Sequence, residues 1–167
     1  IPLVVRIAGK GSMESALKDW SKELGIGKIV TWLGFIPQQQ AAEEWANMDC
    51  GIVFSDAESF GVAAVEAQAC QTAVIISDVP GLMEATKPGR TGVAIPRGDV
   101  AGLATAIVDL FDHPQKRNEM GKQGREYVLE HYELESCFAR IERRTGFRGE
   151  PCKQFKPAIY NIETYAK

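Results

Sequence analysis

Short apolar runs of strand length alternate along this chain with longer amphipathic stretches, and that alternation limits the fold more than any other feature. Residues 4–8, 29–35, 51–54, 73–76 and 92–95 are the strand candidates, rich in β-branched and aromatic side chains and closed by Gly, Pro, Ser or Asp. Helical stretches lie between them. Ser12 is placed to cap one whose apolar residues Met13, Leu17, Trp20 and Leu24 recur at steps of three and four. Ala41, Ala42, Trp45 and Met48 mark a second stripe, residues 61–70 are Ala-rich, and a short helix is expected over 82–86 after the turn Pro80-Gly81. Asp99 precedes a helix that stops at His113-Pro114, and two more are expected over 115–131 and 134–144. Repeated β–α units join parallel strands by right-handed crossovers. The expected fold is therefore α/β, a doubly wound, Rossmann-like parallel sheet flanked by helices, with Trp20, Trp32 and Trp45 packed between the layers. It should occupy residues 1–144, and residues 145–167, which lose all periodicity, should form an extended or partly disordered tail.

Composition removes several function classes. Apolar residues form 45% and charged residues 25% of the 167, the balance of an ordinary globular chain with a core to bury. Nineteen Lys plus Arg against 22 Asp plus Glu leave a formal net charge of −3, which argues against a dedicated nucleic-acid binder. A bilayer span needs about 20 consecutive apolar residues. The longest clean runs here, at 50–54 and 73–76, are strand-sized, so a soluble, cytoplasmic protein is expected. The opening Ile1-Pro2-Leu3-Val4-Val5 has no basic segment or cleavage pattern and reads as a strand met partway along a longer chain. Cys50, Cys70, Cys137 and Cys152 are scattered without CxxC spacing, and His113 and His131 stand in polar, helix-flanking stretches. Zinc, disulfide and hydrolase-triad chemistries are disfavoured, and reduced thiols are expected.

In a doubly wound sheet, ligands sit beyond the carboxyl ends of the strands, at the turns around 9–12, 34–38, 55–61 and 77–81. The third turn is the richest. Ser55-Asp56-Ala57-Glu58-Ser59-Phe60-Gly61-Val62 joins a strand end, a polar loop and a helix start, and Glu66 follows inside the helix. Gly61 lacks a Cβ, so a ligand can approach the backbone where the first helical N–H groups have no internal acceptor. The helix macrodipole adds attraction for a phosphate or pyrophosphate. Glu58 and Glu66 flank this anion site as acceptor-only carboxylates, Glu66 about 7.5 Å along the helix axis. A nucleotide sugar has the matching layout of ribose hydroxyls, diphosphate and sugar hydroxyls. An amide cluster plugged by the protein's own residues, or two glutamates pointing away from any shared cleft, would end this reading. Taken singly, either glutamate reads as a solvated carboxylate, Gly9-Lys10-Gly11 as an ordinary turn, and Asp99 as a helix cap.

The block from Glu58 to Cys70, ESFGVAAVEAQAC, resembles the ExFGxxxxE signature of the retaining nucleotide-sugar glycosyltransferases of family four, which have the GT-B fold. AGKGS from Ala8, VTWLGFIP from Val30, AVIISDVPGLMEA from Ala73 and TGVAIPRGD from Thr91 follow the family's order and spacing across residues 4–132. The resemblance implies the C-terminal, donor-binding half of an enzyme that moves a sugar from a nucleotide diphosphate to an acceptor hydroxyl with retention. It implies that Glu58, the catalytic candidate, contacts hydroxyls of the donor sugar. The N–H groups of Phe60, Gly61 and Val62, beside Ser59, would hold the diphosphate, and Glu66 would receive the ribose. Gly34 and Phe35 would pass beside the base, while Gly9 and Gly11 would form a glycine turn near the nucleotide with Lys10 in reach of a phosphate.

The same resemblance implies that a first βα unit carrying phosphate-clamping Arg and Lys, and an acceptor-binding N-terminal domain, lie upstream of Ile1. Any membrane contact would run through that domain. No DxD-like motif occupies a loop, Asp56 and Asp78 standing alone, so no essential metal and no cofactor beyond the donor itself is expected. The sequence departs from the family where Gln71-Thr72-Ala73 replaces a Gly-x-Pro after Ala69-Cys70. Gln71 should then take the left-handed helix end that Gly fills at least cost, a penalty of about 1 kcal/mol. The alternative is a non-catalytic nucleotide-sugar-binding or interaction module of the same fold. A sugar epimerase of similar architecture would need an added catalytic acid or His in the βα turns, and the sequence shows none.

Overall fold

The structure, a computed structural model, describes residues 3–146, so Cys152 and nearly all of the expected tail lie outside the described residues. The described residues divide into two compact units, one up to Ala41 and one from Ala42 on. In the first, β1 (Val5–Ala8) and β2 (Val30–Gly34) pair in parallel, Val5 beside Val30 and Ile7 beside Trp32, and α1 (Glu14–Glu23) connects them. The register slips after Ile7, placing Ala8 opposite Gly34.

The start of α1 corrects one expectation: Ser12 does not cap it. Met13 holds the cap position in a right-handed turn with no side-chain bond. The Gly11 carbonyl already accepts the Glu14 N–H, and the Met13 carbonyl that of Leu17. Glu14 supplies the negative charge favoured in a first turn, paired with Lys18 at 2.6 Å. The apolar stripe is present in period but not in burial. Met13, Leu17 and Leu24 are exposed, and Trp20 is 58% exposed instead of packing between helix and sheet. Periodicity identifies the face a helix offers for burial, not what covers it.

From the first unit α2 (Gln38–Ala46) leads into the second. There β3 (Cys50–Val53), β4 (Ala73–Ser77) and β5 (Gly92–Ile95) form a parallel sheet in that order. The apolar run of β4 is buried throughout, as a central parallel strand should be. Its alternate residues serve opposite faces. Val74 and Ile76 pack with Ala64 and Ala67 of α3 (Val62–Ala69) and Leu82 of α4 (Pro80–Ala85). Ala73 and Ile75 pack with Ala106 and Leu110 of α5 (Val100–Asp112) and with Met120 of α6 (Pro114–Tyr132). Helices thus cover both faces, and α7 (Leu134–Thr145) follows α6. The architecture is the expected Rossmann-like one, with its parallel strands hydrogen-bonded as two sheets, β1-β2 and β3-β4-β5, instead of one.

Local chemistry explains the boundaries. Asp99 caps α5, its carboxylate accepting the Gly102 N–H at 2.8 Å. Pro80 and Gly81 do not merely end β4: Pro80 opens α4 at a position where its missing N–H costs nothing. At the end of α3 the Thr72 N–H reaches the Ala67 carbonyl and the Gln71 N–H the Gln68 carbonyl, both at 3.0 Å, around Gln71 at φ 59°. This is a Schellman motif with Gln in the left-handed position, as the sequence predicts. Gln71→Gly should raise stability in denaturant melts by about 0.5–1 kcal/mol, less than the full left-handed penalty because Gly also loosens the unfolded chain. No gain would mean that the Gln71 side chain makes compensating contacts. No disulfide links the described thiols of Cys50, Cys70 and Cys137, and burial pushes that of Cys50 up to about 12. None of the described helices is long and apolar enough to cross a membrane.

Candidate functional site

The loop after β3 is built by its neighbours at the carboxyl end of the sheet. Ser77, fully buried at the end of β4, accepts the Ser55 N–H at 2.9 Å and donates its hydroxyl to the Ser55 carbonyl at 2.8 Å. The Arg97 guanidinium donates to the Asp56 carbonyl at 3.0 Å, and the Arg97 N–H donates to the Asp78 carboxylate at 3.2 Å. Phe54, Ser55, Asp56, Arg97 and Gly98 line a shallow cavity of about 160 Å³ there.

Farther along, the loop turns into α3 at Gly61, which holds φ 82° and ψ 43°. Two constraints meet at this residue. The left-handed backbone disfavours any side chain, and a Cβ would stand 2.8 Å from Leu82 Cδ2. Gly81 is required for a similar reason, since a Cβ on it would lie 2.3 Å from the Glu58 carbonyl oxygen. The helix α4 therefore presses directly against the backbone of Glu58 and Ser59. The Gly61 carbonyl accepts the Ala64 and Val65 N–H groups at 2.9 and 3.1 Å, which starts α3 and leaves the amides before it turned outward.

Those amides are occupied. Glu58 Oε1 accepts the Ser59 N–H at 3.0 Å and the Phe60 N–H at 3.3 Å. The N–H groups of Phe60, then of Gly61 and Ser59, hold the Glu58 carboxyl below its ordinary range, against a smaller opposing effect of burial. Glu58, expected to face a sugar, instead plugs the cluster expected to hold a diphosphate. Of the other predicted site residues, Ser59, Phe60, Gly61 and Val62 lie on this same loop and helix start, and Glu66 stands one helical turn beyond Val62, on the same face.

The remaining candidates belong to the first unit. Gly9, at φ 128°, donates its N–H to the Gly34 carbonyl at 2.7 Å, and Lys10 lies against Gly34, so the two glycine turns adjoin. Gly11 precedes α1, and Phe35 is 74% exposed. Sequence reasoning pointed to the turn at 77–81 but missed the support that Ser77, Gly81 and Leu82 give the loop after β3. The pairing of a small residue with the Glu58 backbone has no period to reveal it. Among the described residues, no group of three or more His, Cys, Asp or Glu is placed to hold a metal ion.

Comparison with known proteins identifies the family of the chain. Residues 1–127 match the family model for glycosyl transferases group 1. D-inositol 3-phosphate glycosyltransferase 2 of Catenulispora acidiphila is 34% identical over 122 residues, which is 72% of this chain and 29% of that protein. Glycogen synthase of Mycobacterium tuberculosis is 28% identical over 130 residues, 78% of this chain and 31% of its own length. The chain thus spans less than a third of these relatives. Among solved structures, sucrose-phosphate synthase from Thermosynechococcus elongatus superposes with a TM-score of 0.74 at 29% identity, over 86% of this chain and 39% of that one. Anabaena HepE, solved in complex with UDP-glucose, gives a TM-score of 0.74 at 21% identity over 86% of this chain and 40% of HepE, a likeness of fold.

Proposed function

This chain belongs to the glycosyl transferases group 1, and we propose that it is the donor-binding part of a retaining, GT-B-type enzyme that moves a sugar from a nucleotide diphosphate to an acceptor hydroxyl. The match of residues 1–127 to this family carries the reading; the Glu58 carboxylate seated on the Ser59 and Phe60 amides stands against it, and the donor site requires an arriving diphosphate to displace that carboxylate. A group that attracts a carboxylate attracts a phosphate for the same reasons of N–H donation and dipole. Arrival of the donor places diphosphate oxygens on the N–H groups of Phe60, Gly61 and Val62. Glu58 is thereby released and becomes an acceptor for the sugar hydroxyls, and Glu66, one turn into α3, accepts from the ribose. In the first unit, taken by itself, Gly9, Lys10, Gly11, Gly34 and Phe35 make up adjoining glycine turns of a kind suited to a nucleotide.

In the reaction the bond from the anomeric carbon to the diphosphate breaks with its electron pair on the leaving oxygen. The acceptor oxygen bonds to the anomeric carbon, and its proton passes to the departing diphosphate oxygen. The demand on the protein is charge stabilisation at the departing diphosphate, which preorganised N–H groups meet. The acceptor-binding domain and further cations come from the rest of the protein, no metal is required, and the setting is the cytoplasm, where reduced thiols persist. Calorimetric titration of the chain with UDP, GDP and ADP, and with UDP-glucose, tests this reading. Binding of at least one nucleoside diphosphate, unchanged by EDTA, is expected. Failure of all of them to bind would reject the donor site.

A further inference from the structure

Phe60 carries one of the amides offered by the proposed donor loop, and its ring, 44% exposed, is held by a residue from another element. That residue is Tyr132, the last of α6, which meets Phe60 edge to face with centroids 5.4 Å apart and planes at 86°. Tyr132 is itself anchored. Its hydroxyl donates to the Glu84 carbonyl at 3.1 Å, and the same carbonyl accepts the Tyr127 hydroxyl at 3.0 Å. The rings of Tyr127 and Tyr132 also meet edge to face, 5.9 Å apart. Burial, then the Tyr127 phenol, holds the Tyr132 hydroxyl above its ordinary range, so it remains a donor.

Glu84 belongs to α4, the helix whose Gly81 lies against the Glu58 carbonyl and whose Leu82 lies against Gly61. The loop is therefore fixed by α4 along its backbone and by an aromatic ring against its one large side chain, with both supports joined at Glu84. We infer that Tyr132 is a positioning residue for donor binding: through Phe60 it orients the N–H groups of Phe60 and Gly61 toward a diphosphate that it does not touch. This deepens the donor-site reading and rests on it.

Tyr132→Leu, Tyr132→Phe, Phe60→Leu and the double variant Phe60→Leu/Tyr132→Leu are compared in the full 167-residue chain, by UDP calorimetry and by amide exchange over residues 59–62. Tyr132→Leu should weaken UDP binding by about threefold to tenfold, the worth of one edge-to-face pair, and should speed exchange of those amides. Tyr132→Phe keeps the ring but loses the bond to the Glu84 carbonyl, so it should recover most of both and fall between the parent and Tyr132→Leu. In the double variant the Tyr132 change should add little to the loss from Phe60→Leu, since the two act through one contact. Unchanged affinity and exchange in Tyr132→Leu, or additive losses in the double variant, would overturn the inference. Should Tyr132→Leu not fold, Phe60→Leu, at a half-exposed site, carries the same exchange comparison. A parent chain that binds no nucleoside diphosphate would sink the donor reading, while the exchange rates would still decide whether Tyr132 orders the loop.

Discussion

Gly61→Ala is expected to lower the melting temperature by roughly 5–15 °C and to reduce UDP affinity by at least about tenfold. The stability loss has two sources. A side chain at φ 82° pays about 1–2 kcal/mol for the left-handed region, and the new Cβ would stand 2.8 Å from Leu82 Cδ2 and 3.3 Å from Ala85 Cβ. Leu82 is fully buried and packs with Val74 and Ile76, so it cannot yield without disturbing the face of the sheet beneath α3 and α4. Overpacking of this kind adds about 1–3 kcal/mol. The binding loss follows from the same geometry. If the backbone relaxes to accept the Cβ, the N–H groups of Phe60, Gly61 and Val62 no longer converge, and each charge-assisted hydrogen bond forfeited is worth about tenfold. Scanning calorimetry and UDP titration of the parent and variant check both halves. A variant that melts and binds like the parent would show that neither the backbone at Gly61 nor its amides matter to the site.

The Ala-rich helix, the apolar strand β4, the Asp99 cap and the left-handed Gln71 were legible in the sequence because each is a local matter, decided within a few residues by propensity, patterning or cap chemistry. Pairing is not local. The runs that became β1-β2 and β3-β4-β5 look alike as sequence, since an apolar strand shows how deeply it is buried but not which strand it hydrogen-bonds. The stripe on α1 failed in a related way, with the right period and no cover over Trp20. Within the site, the spacing of acid, glycine and acid located the loop, yet the supports from Gly81, Leu82 and Tyr132 come from elements farther along the chain. The direction of the Glu58 side chain was also hidden. A carboxylate one and two residues before such amides has a choice between them and anything nearby, and only the geometry shows that it takes the amides.

Glu58→Ala is expected to bind UDP more tightly than the parent, by roughly threefold, while losing about tenfold of the parent's preference for UDP-glucose over UDP. The two effects have opposite signs because the carboxylate has two partners. It sits on the Ser59 and Phe60 amides, so on the proposed reading it contests the Phe60 donor with a diphosphate and repels it as a like charge. Its removal opens the cluster, and solvent screening at an exposed loop keeps the gain modest. On the proposed reading, the displaced carboxylate of the parent would accept from sugar hydroxyls, an interaction the variant could not make. The amides hold the Glu58 carboxyl below its ordinary range, so the fold favours the ionised form. Its contribution to stability is then fully present above the ordinary carboxylate value of about 4.3 and disappears as pH falls through the lowered folded value. The stability difference between parent and variant should accordingly stay constant near neutrality and close only in acid. The UDP advantage of the variant should shrink over that same acid window, because protonating Glu58 relieves the competition in the parent. Titrations of both proteins with UDP and UDP-glucose, at neutral and acid pH, check the signs together. Equal UDP affinity and an equal preference for UDP-glucose would place the diphosphate somewhere other than this amide cluster.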